Sequence, residues 1–223
     1  NYLADAENNL KKLKGNNIFT LVKQDFVKER SAISLFSPES FDVFIANPPY
    51  VRTQVLGADK AQHIAKEYGL TGKVDLYYPF IINMTEQLTE GGILGVITSN
   101  KYLSTKSGRC VRNYLLSHYD ILEIIDLGDT KLFDAAVLPA IFIGKKNTIN
   151  PSCSKSKFIS IYESNTNSES IAKDDVYDVL RSKRSGTYNI GKVFYNLTIG
   201  TLKPSIDVEG IWNITTNEEQ AWL

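Results

Sequence analysis

Residues 18–146 alternate short runs rich in β-branched residues with longer stretches of helical spacing. This alternation is typical of a mostly parallel sheet that carries helices on its faces. Strands are predicted over residues 18–24, 42–46, 92–98, 121–127 and 139–145. Helices are predicted over residues 74–89, stopped by Gly91 and Gly92, and over residues 107–118. We therefore expect an α/β protein with a mostly parallel sheet.

The pattern weakens after Lys146. Residues 147–157 contain Pro, Ser and Asn without periodicity, and residues 164–170 form a second polar stretch. The apolar runs that follow are short and too few to predict an independent hydrophobic core. We therefore place a boundary near residue 149, with one domain over residues 1–148 and a connector over residues 149–223.

Composition limits the class of protein. The 223 residues include 25 basic and 25 acidic side chains, so a nucleic-acid partner would have to meet a local patch rather than a global basic field. No apolar run approaches the roughly 18 residues of a membrane span, and no charged-then-apolar leader opens the chain. Cys110 and Cys153 have no second Cys or His at ligand spacing, which supports neither a disulfide framework nor a zinc site. We expect a cytoplasmic protein with no membrane partner and no metal.

The strand over residues 41–46, read as buried, runs directly into Asn47-Pro48-Pro49-Tyr50. Open α/β sheets bind ligands at the carboxyl ends of their strands. Two prolines make the turn rigid because they fix φ and restrict the preceding Asn47 to an extended conformation. The Asn47 side-chain oxygen and the Pro48 carbonyl can together accept both hydrogens of one planar amino group, and Tyr50 can stack on the ring that carries it.

Such a grip matters for an amine whose lone pair is delocalised, because that amine is a poor nucleophile. Two acceptors fix its direction and draw the nitrogen toward a tetrahedral geometry as it attacks a methyl donor. In the alternative interpretation, Pro-Pro only ends a strand and Tyr50 packs on the core. Pro-Pro alone favours that alternative, whereas Asn before it and Tyr after it favour the binding site.

The Asn47-Pro48-Pro49-Tyr50 motif resembles the catalytic motif of amino-group methyltransferases that use S-adenosylmethionine, in particular the adenine-specific DNA methyltransferases. The wider sequence resembles the methyltransferase region of type IIG restriction-modification enzymes, on residues 72–80, 91–102 and 132–137. The resemblance covers about residues 18–146, with a weaker similarity over residues 212–222. It implies a Rossmann-like methyltransferase fold with a last antiparallel strand. It also implies a catalytic domain over residues 1–148 and a connector over residues 149–223 toward a target-recognition domain.

The resemblance implies roles for individual residues at the substrate. Asn47 and Pro48 would hold the exocyclic amine of adenine, and Tyr50 would stack on the base. Phe133 would cover the other face of the base, although core packing is the commoner meaning of a Leu-Phe-Asp loop. A paired adenine must rotate out of the duplex before it can react, and two aromatic walls would offset part of that free-energy penalty.

The resemblance also implies a site for S-adenosylmethionine. Asp25 would accept a hydrogen bond from the adenine of the cofactor, with Phe26 against its ring and Asn47 beside it. An ordinary strand-end or N-cap carboxylate is the alternative for Asp25. The glycine-rich segment that family members carry ahead of this point is not in the chain, which opens at Asn1 and has Met84 as its only methionine. We expect a fold truncated at the N-terminus, a piece of a longer protein that alone binds cofactor weakly or not at all and is inactive.

Double-stranded DNA is the partner that the resemblance implies, with nuclease and target-recognition domains outside these residues. Arg52 is a candidate substrate contact, because it lies close to the motif and in front of a polar segment that is a candidate loop over the substrate. Candidate phosphate contacts lie in two runs without acidic residues: Lys101, Lys106, Arg109 and Arg112, then Arg181, Lys183, Arg184, Lys192 and Lys203. A solvated helix face is the alternative for each run.

Two other functions remain open at this point. The same motif occurs in methyltransferases of glutamine side chains in proteins, and related motifs act on RNA, but a glutamine amide needs neither a second aromatic wall nor a basic extension. The second open function is that of an inactive remnant that only binds DNA or a partner subunit. The intact motif argues against this function. His63 and His118 are isolated in the sequence, and neither is expected to act as a base.

Overall fold

The computed structural model describes residues 2–12, 21–22, 26–27, 41–51, 55, 57–69, 75–132, 137–153, 156–165, 169–204 and 210–216. The chain divides into two units, Asn1–Leu35 and Phe36–Leu223. The first unit contains helix α1 (Tyr2–Lys11), in which Glu7 and Lys11 form an ion pair at 2.6 Å, one turn apart. Most of the strand predicted over residues 18–24 lies outside the described residues, and residues 21–22 have no regular secondary structure.

The second unit contains the sheet. Its described strands are β1 (Phe41–Ala46), β2 (Leu88–Ser99), β3 (Tyr119–Asp126), β4 (Pro139–Lys146), β5 (Lys157–Ser164), β6 (Ile171–Lys173), β7 (Gly186–Ile190), β8 (Val193–Pro204) and β9 (Trp212–Thr215). Its described helices are α2 (Ala58–Glu67), α3 (Tyr77–Gln87), α4 (Lys101–Ser104), α5 (Arg109–His118) and α6 (Val176–Arg181). None of the helices in the described ranges is both long and apolar enough to cross a lipid bilayer.

The strands predicted over residues 42–46, 92–98, 121–127 and 139–145 correspond to β1 through β4, and the predicted helices correspond to α3 and α5. One local signal was misread. Gly91 does not stop the helix, because α3 ends at Gln87 and Gly91 lies inside β2 with φ of 81°. The pairing of β1 with β2 is irregular at this point, and glycine adopts this left-handed conformation without strain.

The sheet has the order β1-β2-β4-β3-β5-β8-β7-β6, with β9 paired to β8. β1, β2, β3 and β5 run in one direction, while β4 lies antiparallel between β2 and β3. The predicted α/β class, with strands that mostly share one direction and a last antiparallel strand in the predicted set, is therefore confirmed. β7 and β8 continue the sheet as an antiparallel hairpin, and β6 pairs in parallel with β7.

Both faces of the central strands carry apolar layers. Val96, Phe142, Ile124 and Phe158 are register partners across four strands, and each is at most 4% exposed. The adjacent row of isoleucines points to the opposite face and packs with helix α6; it consists of Ile97, Ile141, Ile125 and Ile159. Each fully buried side chain of this size contributes roughly 1.5–3 kcal/mol, so these layers stabilise the sheet.

The sheet continues across the predicted boundary near residue 149. β5 pairs in parallel with β3, and Tyr102 of α4 packs edge-on against Trp212 of β9 with ring centroids 6.0 Å apart. Residues on both sides of the boundary therefore share one sheet. That residues 149–223 form a connector toward a target-recognition domain stays a prediction.

β1 was predicted to be buried, and this is wrong for one of its faces. Val43 is 53% exposed and Ile45 is 87% exposed. The reason is topological: among the described strands β1 pairs only with β2, so it lies at the end of the sheet. The functional motif therefore follows an edge strand.

Candidate active site

Backbone hydrogen bonds hold the motif at both ends. On one side, Ala46 is the register partner of Val96 in β2. Pro48 and Pro49 have no N–H to continue this pairing, so the strand ends and the chain turns away. On the other side, the Val51 carbonyl accepts a hydrogen bond from the Leu76 N–H at 2.7 Å, immediately before α3.

A side-chain hydrogen bond closes the turn. The Tyr50 hydroxyl donates to Asn47 Oδ1 at 2.7 Å and lies 3.4 Å from the carbonyl oxygen of Ile97. Asn47 is exposed, Pro48 is buried and Tyr50 is half-buried. Partial burial raises the pKa of Tyr50, so its hydroxyl stays protonated and remains a donor near neutral pH. The turn thus presents an exposed, held amide beside an anchored aromatic ring.

The other predicted site residues have different outcomes. Asp25, Arg52 and Phe133 lie outside the described residues. Phe26 is a half-buried residue of a turn in the first unit. The cofactor roles of Asp25 and Phe26 and the substrate roles of Arg52 and Phe133 therefore stay predictions.

A polar cluster that was not predicted lies at the carboxyl ends of β2 and β3, on the same edge of the sheet as Asn47. Asn100 Nδ2 donates to Asp126 Oδ1 at 3.0 Å and lies 3.2 Å from Tyr162 Oη. The Tyr162 hydroxyl donates to Asp126 Oδ2 at 2.7 Å, and the Gly128 N–H donates to Asp126 Oδ1 at 3.2 Å. Burial, with the hydrogen bond to Asp126 as the next cause, raises the pKa of Tyr162, which keeps its hydroxyl a donor. The sequence did contain a signal for this cluster: Asn100 and Asp126 lie at the ends of strands, where open α/β sheets bind ligands.

Asn100 also holds the segment that joins β3 to β4. Its backbone N–H donates to the carbonyl of Leu138 at 2.8 Å, next to the start of β4, while its side chain reaches Asp126 at the end of β3. The Leu127 N–H donates to the Pro139 carbonyl at 2.9 Å. Both ends of segment 127–138 are therefore fixed at the edge of the sheet where β1 delivers Asn47.

One predicted phosphate contact is wrong. Arg112 is completely buried and donates to the carbonyls of Tyr102, at 2.5 Å, and Thr105, at 2.9 Å. Its guanidinium therefore ties α4 to α5 and is inaccessible to DNA. The other basic residues of the two runs are exposed: Lys101, Lys106, Arg109, Arg181, Lys183, Arg184, Lys192 and Lys203.

The histidines make local contacts. His63 lies 3.4 Å from Glu67, one turn away on α2, and His118 stacks on Tyr114 with ring centroids 4.1 Å apart. Within the described ranges, no three His, Cys, Asp or Glu side chains are grouped so that they could hold a metal ion.

An α/β sheet with Asn-Pro-Pro-Tyr directly after a strand is the arrangement expected of an amino-group methyltransferase. Residues 2–133, more than half of the chain, match the family described as Eco57I restriction-modification methylase. The chain belongs to this family.

The chain is similar to several known proteins. The chain is 44% identical over 209 residues to the type II methyltransferase M.BanIII of Aneurinibacillus aneurinilyticus, covering 89% of this chain and 36% of the relative. It is 25% identical to the type II restriction enzyme and methyltransferase RM.Eco57I of Escherichia coli, covering 56% of this chain and 14% of the relative. The crystal structure of a type I restriction-modification methyltransferase subunit from Streptococcus thermophilus superimposes with a TM-score of 0.48 at 19% identity, covering 78% of this chain and 37% of that one. The chain thus spans about a third of the length of M.BanIII.

Proposed function

We propose that this chain carries the methyl-transfer site of a DNA adenine N6-methyltransferase that uses S-adenosylmethionine. The observation that carries the proposal is the rigid Asn47–Tyr50 turn at the end of β1, with its exposed amide and anchored ring. Membership in a restriction-modification methylase family supports it, as does the likeness to M.BanIII, a type II methyltransferase.

Each residue of the turn has a defined task. Asn47 Oδ1 and the Pro48 carbonyl accept the two hydrogens of the adenine amino group and so fix the direction of its nitrogen. This orientation is most valuable in the transition state, where the nitrogen becomes tetrahedral and its hydrogens turn toward the two acceptors. When bound, S-adenosylmethionine would supply a methyl group carried on a positively charged sulfur. The amine nitrogen would bond to the methyl carbon as the carbon–sulfur bond breaks, the sulfur would leave as a neutral thioether, and the methylated amine would lose one proton to solvent. The ring of Tyr50 supports the flat base, a contact worth roughly 1–3 kcal/mol.

The described part of the site fits this chemistry. Asn47 is exposed, so a flat base can reach its amide, and Tyr50 is only half-buried. In this proposal Asn47 also contacts the methyl donor. We assign Asp25 and Phe26 to the adenine of the cofactor, and Phe133 and Arg52 to the target base.

We infer that duplex DNA approaches this edge of the sheet. Lys101 and Arg109 are exposed on α4 and α5, the elements that directly follow β2, and no acidic residue occurs between Ser99 and Tyr119. Such residues contact phosphates without reading sequence. Target recognition and any nuclease would then belong to further parts of the restriction-modification enzyme.

A methylation assay with three substrates tests the function. The full-length protein and a radiolabelled methyl donor are offered duplex DNA, single-stranded RNA and a glutamine-containing peptide in parallel. We expect label in DNA only, released as N6-methyladenine after digestion to nucleosides. Label confined to RNA or to the peptide would replace the DNA substrate while keeping the amine chemistry, and no label in any arm would support the inactive remnant.

A further inference from the structure

The Tyr50 hydroxyl makes a contact that base stacking does not need. It lies 2.7 Å from Asn47 Oδ1 and 3.4 Å from the Ile97 carbonyl oxygen. A hydroxyl has one proton, and the shorter distance assigns this proton to Asn47. The bond spans both prolines, so it closes the four-residue turn on itself.

The bond selects one of two orientations of the Asn47 amide. An asparagine side chain can present either its oxygen, an acceptor, or its NH2 group, a donor. A hydroxyl donor is satisfied only when the oxygen faces it, and its proton occupies one of the two lone pairs of that oxygen. The other lone pair stays free for an incoming amine. An amide turned the opposite way would direct its own N–H groups at the amine and repel it.

We propose that the Tyr50 hydroxyl is a positioning group that holds Asn47 in its acceptor orientation, a role that rests on the proposed methyl transfer. The ring and the hydroxyl of Tyr50 then perform separable tasks. The ring supports the substrate, whereas the hydroxyl acts through Asn47 and never touches the substrate.

The substitution Tyr50→Phe separates the two tasks, because it removes the hydroxyl and keeps the ring. We expect kcat to fall about tenfold, the factor that corresponds to one lost hydrogen bond in the transition state. The KM for DNA should stay within about twofold, because the ring still stacks on the base. Tyr50→Leu should instead raise the KM for DNA, because it removes the ring.

Tyr188→Phe is the matched control. The Tyr188 hydroxyl donates to the Arg184 carbonyl at 2.7 Å, and Tyr188 lies in β7, six strands along the sheet path from β1. This substitution removes the same atom and one hydrogen bond, so it should lower the melting temperature without changing kcat. A kcat of Tyr50→Phe equal to that of the wild type would overturn the proposal.

A double-substitution cycle tests whether the hydroxyl acts through Asn47. Single-turnover rates are measured for Asn47→Ala with and without Tyr50→Phe. The tenfold effect should disappear in the Asn47→Ala background, since no amide remains to be oriented. An undiminished effect in that background would refute the positioning role while leaving the proposed function intact. If the wild type methylates RNA or glutamine instead of DNA, the proposed substrate is wrong but the positioning role is still open to test. The same double-substitution cycle is then measured with the substrate that is methylated.

Discussion

At the scale of single residues, chemistry in this protein depends on the direction in which polar groups point. Asn47 and Arg112 illustrate opposite outcomes. Asn47 follows an edge strand and stays exposed, whereas Arg112 turns inward and binds backbone carbonyls. Both residue types suggested a contact with the substrate. The difference in burial shows that Asn47 is accessible for such a contact and that Arg112 is not.

The substitution Asn47→Ala tests the acceptor. It removes Oδ1 and should lower the rate of methyl transfer by a factor on the order of 100 or more, as removal of a transition-state hydrogen-bonding group does in other enzymes. Binding of duplex DNA should change less than about twofold in a fluorescence anisotropy titration, since phosphate contacts supply most of the affinity. Asn147→Ala, at the opposite edge of the sheet, is the control and should transfer methyl groups normally. Normal transfer by Asn47→Ala would remove this residue from the mechanism.

Arg112 and Arg109 form a second pair for comparison. Arg112→Ala leaves the carbonyls of Tyr102 and Thr105 without their donor, and we expect the free energy of unfolding to fall by about 2–4 kcal/mol. Arg109→Ala removes an exposed side chain and should leave the stability within about 0.5 kcal/mol while weakening DNA binding and its salt dependence. Urea unfolding and binding titrations at several salt concentrations measure both effects. Equal stability of the two variants would contradict the structural role of Arg112.

At the scale of elements, the ends of strands do most of the positioning. The carboxyl ends of β1, β2 and β3 deliver Asn47, Asn100 and Asp126 to one edge of the sheet. The local pattern of apolar residues was enough to predict these three strands. It was not enough to predict the contact of Asp126 with Tyr162, because the partners are 36 residues apart and Tyr162 lay in the predicted connector.

Asn100→Ala tests the cluster at this edge. It removes the donor to Asp126 and should destabilise the protein by about 1–2 kcal/mol. Asn147→Ala is again the matched control, because the Asn147 amide donates to Asp120 at 3.1 Å at the opposite ends of β3 and β4. The two variants should lose similar stability in urea unfolding, but only Asn100→Ala should lower the rate of methyl transfer. Equal transfer rates would mean that the cluster serves stability alone.

At the scale of the whole molecule, the sheet extends beyond the region in which the sequence predicted it. Apolar runs at residues 158–162 and 193–197 were recognised, but a single sequence does not say which strand each one joins. β5 in fact pairs with β3, and its Ile159 and Ile161 share a hydrophobic cluster with Leu127. The edge position of β1 escaped prediction for the same reason, since burial of a strand depends on neighbours that its own sequence does not reveal.

Shortening the chain tests whether residues 149–223 are separable. A chain ending at residue 148 loses β5, and with it the cover of Leu127 and the hydroxyl of Tyr162 that binds Asp126. We expect it to lose cooperative unfolding and to bind a hydrophobic dye, because its apolar rows are uncovered. A chain ending at Thr216 retains every described strand and should unfold cooperatively. Cooperative unfolding of the shorter chain would instead favour an independent domain over residues 1–148.

The reversed direction of β4 affects how such a protein can change. β4 runs opposite to β2 and β3, so it starts at Pro139 on the edge of the sheet where they finish. Segment 127–138 therefore begins and ends at that one edge. That edge therefore carries a further connection between two neighbouring strands. We expect that replacement of this connection changes which molecule the site accepts, while the packed layers of the sheet stay as they are.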